Sequence, residues 1–241
     1  MASRTVWGRL GIGFQSGRRS RGCSGGVAVA MVLGSALLAA GGCEDQAVRF
    51  NQMGTEYYRA GDYTKARAAF EEAIAINPER GEYYFNRGAC EQSLGHYDMA
   101  IHNYEMAVRL NPSIVQAFQN EAQCYLDQQN PEKAEEVLLA GTRANPFTAE
   151  AFINVANFCL SRGDQAGARL WFSKAVAADP DNPRGHREYG LFLARTGDRK
   201  AAVEELRRSL NLAPAQPDVS ARLSEMAPSG PQLPPPKPQT K

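Results

Sequence analysis

An all-α superhelical solenoid of antiparallel helix pairs, five repeats closed by a short C-terminal capping helix, is the fold class this sequence predicts. Three observations predict it. Asn77-Pro78, Asn111-Pro112, Asn145-Pro146 and Asp179-Pro180 recur at a 34-residue interval, and Pro214 follows one period later. Small residues recur in phase at two places in each period, with a bulky residue at a third. Turn dipeptides recur in phase between them. A repeat of this length is one helix–turn–helix unit, which cannot bury its apolar face alone and must stack on its neighbours.

The 241-residue chain opens on a leader that differs from the rest in charge. Residues 1–42 hold five arginines and no acid, while 43–241 hold 22 basic and 26 acidic side chains. The main body is therefore mildly acidic and shows no basic stripe, which argues against nucleic acid as a partner. Val27 to Ala40 is uncharged and mostly apolar. At about 1.5 Å per residue it falls short of a hydrocarbon core of roughly 30 Å. It suits the h-region of an export signal, with Arg18, Arg19 and Arg21 as the positive segment before it. Ala40-Gly41-Gly42 then leads into Cys43, and residues 1–42 resemble a bacterial lipoprotein signal peptide. Ala40 stands where such signals usually carry Leu. The resemblance implies that Cys43 is acylated and becomes the new N-terminus, anchoring the chain through several acyl chains, with the repeats outside the cytoplasm on a cell or outer membrane. Ordinary secretion and an uncleaved anchor are the alternatives. Residues 43–46 read as a short tether.

The five units are 47–80, 81–114, 115–148, 149–182 and 183–216, with no insertion between them. Position 8 reads Gly54, Gly88, Ala122, Ala156 and Gly190, and position 20 is alanine throughout, from Ala66 to Ala202. Small residues there let two helices approach closely, while Phe70, Tyr104, Leu138, Phe172 and Leu206 at position 24 fill the space between units. Gly61-Asp62, Gly95-His96, Gly163-Asp164 and Gly197-Asp198 end each first helix, and the Asp can cap the next. The third unit departs here, with Gln129-Asn130-Pro131, where Asn130 can cap and Pro131 suits the first turn. After the fifth unit, residues 217–227 can form an amphipathic helix that covers the last apolar face. Residues 228–241 contain six prolines and read as a disordered, Pro-rich tail.

These in-phase residues are those of the tetratricopeptide repeat (TPR) family, which residues 47–216 resemble closely. Segments such as YRAGDYTKARAAFEEAIAINP and LGHYDMAIHNYEMAVRLNP carry the likeness. The resemblance implies that the first helices of the units line a concave groove that binds a peptide or protein segment, through positions 2, 5, 6, 9, 12 and 13. Position 6 holds Asn86, Asn120 and Asn154 in consecutive units, a ladder of carboxamides that can each donate to and accept from an extended backbone. Gln119 and Asn157 add polar groups. Phe85, Leu126, Ile153, Leu160 and Leu191 add apolar ones. Arg184, Arg187 and Arg195 make the C-terminal end basic. The carboxylate-clamp pattern of chaperone adaptors is absent, since Asn51 and Thr55 occupy its first positions.

Nothing in the chain points to catalysis. Cys90, Cys124 and Cys159 lack metal-ligand spacing, and on stacked helices roughly 8–10 Å apart they exceed the reach of approximately 7 Å for a disulfide. Small, buried packing residues are what they predict. His96, His102 and His186 are scattered, and no nucleophile–base pair or phosphate loop appears. The expectation is a non-enzyme without cofactor or metal: a membrane-tethered scaffold binding a polypeptide segment in secretion, pilus or envelope assembly. A self-associating structural solenoid and an accessory subunit that recognises cell-wall material are the alternatives. The oligomeric state stays open.

Overall fold

The in-phase turn residues end one helix and start the next throughout the computed structural model, which describes residues 28–226, with side chains from residue 44 onward. By internal contact the chain divides into two units, Met1–Gly42 and Cys43–Lys241. The export segment and the Pro-rich tail lie largely or wholly outside the described residues. Residues 43–46, read as a tether, are helical. No helix among the described residues is long and apolar enough to cross a membrane.

The helices are α1 (Ala28–Arg59), α2 (Tyr63–Ile76), α3 (Gly81–Ser93), α4 (Tyr97–Leu110), α5 (Val115–Asp127), α6 (Pro131–Ala144), α7 (Ala149–Ser161), α8 (Gln165–Ala178), α9 (Pro183–Thr196), α10 (Arg199–Leu212) and α11 (Pro217–Met226). They form five antiparallel pairs and a final capping helix. Each second helix starts on the residue the repeat predicts. The side chains of Asp62, Asn130, Asp164 and Asp198 accept from the N–H three residues on, at Lys65, Lys133, Gly167 and Ala201. These bonds satisfy donors that a helix start leaves orphaned. His96 occupies the same place before α4 without capping it, and its Nδ1 lies 2.9 Å from Glu91 Oε2 instead.

Within a pair, close approach is enforced by size. A Cβ added at Gly88 would come within 2.8 Å of the Tyr104 ring, so only glycine fits above that aromatic residue. Between pairs, α2 packs on α3, α4 on α5, α6 on α7 and α8 on α9. Consecutive first helices also touch: α3 with α5, α5 with α7, and α7 with α9. No two second helices among the described residues make comparable contact. The first helices therefore lie on the tighter, inner side of the stack, and α4, α6, α8 and α10 on the outer side.

The cap does what a solenoid end requires. Val219 and Met226 of α11 are buried in the same apolar cluster as Phe172, Phe192, Leu193 and Leu206. Arg187 Nη2 donates to Asp218 Oδ2 at 2.8 Å, and Arg199 Nε to the Met226 carbonyl at 2.8 Å.

Candidate functional site

The inner face opens between α5 and α7. There a cleft of about 170 Å³ is lined by Gln119, Gln123 and Leu126 from α5 and by Asn154, Asn157, Phe158 and Ser161 from α7, with Leu138 of α6 behind them. Residues 119, 123 and 126 share one face of α5 because four- and three-residue steps return to the same side of a helix. The cleft has polar rims, with Leu126 and Phe158 as its apolar part. Four residues expected from the sequence, Gln119, Leu126, Asn154 and Asn157, meet in it. Gln123, Phe158 and Ser161 were not singled out. Gln123 shares position 9 with Asn157, so the repeat phase could have found it. Phe158 occupies the position of Cys90 and Cys124, where two cysteines concealed a place that admits a large ring.

The asparagine ladder is present in register, but its members differ chemically. Asn86 donates to Asn51 Oδ1 at 2.8 Å. Asn120 donates to the Tyr104 hydroxyl at 3.3 Å, and that hydroxyl donates to Gln92 Oε1 at 2.8 Å. Burial pushes the Tyr104 phenol up, so it stays protonated as a donor. Two rungs thus spend part of their capacity inside the protein. Among the described residues Asn154 makes no such bond, and it lines the cleft, although only 8% of it is exposed.

Other expected groove residues are placed elsewhere. Ile153 is 0% exposed and belongs to the packing between α7, α8 and α9. It is a core residue, because the contact of α9 with α7 covers its position and burial of an isoleucine is favourable by about 2 kcal/mol. Phe85 is half-buried and packs on Tyr104, with ring centroids 5.9 Å apart. Arg187 is committed to Asp218 of the capping helix, with Nη1 also 3.4 Å from Glu188. Arg184 is exposed, and Arg195 borders a second opening beside Leu160, Gln165 and Phe192.

Cys90, Cys124 and His186 belong to the packed interior. Cys90 and Cys124 are buried free thiols, and desolvation pushes both up to about 12, so neither is a ready nucleophile. Cys159 is also free and half-buried. His186 is fully buried: Nε2 lies 2.8 Å from the Pro180 carbonyl and Nδ1 2.6 Å from Glu205 Oε2, tying α9 to α10 and to the turn before it. His102 is exposed on α4. Among the described residues, no group of three or more His, Cys, Asp and Glu side chains could hold a metal ion.

The stacked pairs, the inner-face cleft and the terminal cap together define a helical-repeat scaffold for protein or peptide partners. A tetratricopeptide repeat profile matches at residues 51–113, 91–147 and 120–183, which together span more than half the chain. The chain belongs to the tetratricopeptide repeat family, and it is a scaffold rather than an enzyme. Comparison with curated protein sequences finds no match. Among solved structures, a thermophilic TPR protein of Thermus thermophilus is similar at 20% identity, with a TM-score of 0.54, covering 75% of this chain and 98% of its own. PilW, described as a widely conserved type IV pilus biogenesis factor, is similar at 19% identity and a TM-score of 0.54, covering 75% of this chain and 84% of its own. PilF of Pseudomonas aeruginosa is similar at 17% identity and a TM-score of 0.52, covering 77% and 90%. At these identities the likeness is one of fold.

Proposed function

We propose that this chain is a lipid-anchored scaffold of the bacterial cell envelope that holds an extended segment of a partner protein in the cleft between α5 and α7. The observation that carries the reading is the lining of that cleft. Asn154, Asn157, Gln119 and Gln123 bring carboxamides to its two sides, with Leu126 and Phe158 between them. Each carboxamide donates and accepts, as a peptide backbone does in the complementary sense. The apolar residues then receive side chains of the segment. Gln119, Asn154 and Asn157 matter most in this arrangement because, among the described residues, none makes an internal side-chain hydrogen bond, whereas Gln123 donates to Asp127 Oδ1 at 2.8 Å. Asn86 and Asn120 lie further along the same face and extend the track with the capacity they retain.

The anchoring half of the proposal rests on the sequence. An apolar run of export length ends in small residues before Cys43, and acylation there would hold the repeats against a membrane outside the cytoplasm. Work in secretion, pilus or envelope assembly fits such a location. PilW, a pilus biogenesis factor by description, shares the fold and supports that reading as an analogy only.

Two measurements test it separately. Cells fed labelled palmitate should label the wild-type chain and leave Cys43→Ser unlabelled; equal labelling removes the anchor. The tagged chain, cross-linked mildly in its own membranes, should capture a partner that Asn154→Ala/Asn157→Ala loses while Asn86→Ala retains it. Loss of two hydrogen bonds at about 1 kcal/mol each corresponds to roughly 30-fold weaker binding. A partner held equally by a folded Asn154→Ala/Asn157→Ala protein would exclude the cleft as the binding site.

A further inference from the structure

The opposite face of α5 carries a second opening. It measures about 400 Å³ and lies between α4, α5 and α6, away from the proposed peptide track. Glu121 and Phe118 border it from α5, Val108, Glu105 and Arg109 from α4, and Val137 from α6. On a helix at about 100° per residue, 118 and 121 point away from 119, 123 and 126, so the two openings do not share side chains of α5.

Glu121 is the unusual member. It is 5% exposed, yet among the described residues it has no hydrogen-bond or ion-pair partner, and only burial and the Glu105 charge act on it, both raising its carboxyl to about 7. A buried carboxylate without a partner is costly, and packing does not ask for it. The repeat supplies the control. The same position in the next unit holds Val155, which is buried in the ordinary apolar way. A hydrophobic residue is therefore compatible with this seat in the fold, so packing does not require the carboxylate.

We propose that the cleft between α4, α5 and α6 is a binding site for a lysine side chain of a partner protein, with Glu121 and Glu105 receiving the ammonium. Val108, Phe118 and Val137 match the four-methylene stem of lysine, which buries readily along apolar walls while its head seeks charge. Two carboxylates bordering one opening suit a compact ammonium with three donors. Arg109 also borders the opening and, among the described residues, makes no ion pair with either carboxylate. Cys124 and Tyr125, further along α5, are the other titratable groups influenced by Glu121, and both are neutral across the physiological range because burial raises the thiol and the phenol.

The test uses the full chain in detergent, with Nα-acetyl-lysine methylamide as the probe and carboxyl-carbon NMR of labelled glutamate as the readout. The expected result is a saturable shift at Glu121 and Glu105, with the Glu121 titration midpoint falling by about one unit as the cation stabilises its charged form. The Nε-acetylated probe should bind at least tenfold more weakly, and so should Glu121→Val, which the Val155 seat shows to be compatible with the fold. Equal binding of the acetylated probe would reduce the cleft to a generic apolar opening and overturn the proposal. So would the absence of a saturable shift in the wild type. If Arg109→Ala alone moves Glu121 as far as the probe does, Arg109 is the internal partner and the site is not for lysine. None of these outcomes depends on the inner-face cleft.

Discussion

The third and fourth units share a backbone plan and differ in what they do with it. Position 5 is exposed Gln119 in the third and fully buried Ile153 in the fourth. Position 6 is Asn120, bonded to Tyr104, and then Asn154, which makes no side-chain hydrogen bond among the described residues. Position 7 is Glu121 and then Val155. At position 15 the turn uses Gln129 with φ +60° in the third, where the fourth uses Gly163 with φ +77°. A solenoid fixes where each position sits relative to its own helix pair, but the adjoining pair decides whether that place is wet or dry. The third unit carries the departures, and both proposed binding clefts border its first helix.

Substitutions at matched positions sharpen the comparison. The largest expected effect is at position 5. Ile153→Ala should destabilise the protein by about 2–4 kcal/mol through lost burial and the cavity left behind, while Gln119→Ala should stay within about 0.5 kcal/mol. Urea unfolding of the two variants checks this, and equal costs would mean that position 5 is packed alike in both units.

Next is position 7. Because folding raises the Glu121 carboxyl from 4.5 to about 7, its protonated form favours the native state. That contribution is complete below pH 4.5 and is lost as pH rises through about 7, on the order of 3 kcal/mol in all. Glu121→Val should therefore stabilise the chain at pH 8 by a similar amount, with a gain that shrinks as the pH falls toward 4.5. A gain independent of pH would show that the carboxylate is not carrying the cost. Thermal unfolding across that range separates the two results.

The turn position gives the smallest pair. Gln129→Gly should add roughly 0.5–1 kcal/mol by relieving a left-handed conformation that a side chain disfavours. Gly163→Ala should lose about 1 kcal/mol for the same reason in reverse. If neither midpoint in urea moves, the turn is not under strain in the third unit.

Most of the fold was legible in the chain because its determinants are local and repeated. The 34-residue period, the small residues at positions 8 and 20, the Asp and Asn caps and the prolines each act within one unit. The capping helix was legible too, since Val219 and Met226 are spaced to put an apolar face on the last pair. The cleft was legible only in part. Gln119, Asn154 and Asn157 follow from the repeat phase, and the structure brings them together. That Ile153 would close into the core, Asn86 would spend a donor on Asn51, and Arg187 would clasp Asp218 depends on partners 31 to 39 residues away or on the next helix pair. By itself the sequence determined the helices, their order, their turns and the family. Only the tertiary structure decided which positions face water, which polar groups are already satisfied and which, like Asn154 and Glu121, keep hydrogen-bonding or charge capacity to offer. The physical reason is that helix formation and capping are short-range, whereas desolvation and hydrogen-bond satisfaction are set by whichever surface the neighbouring unit covers.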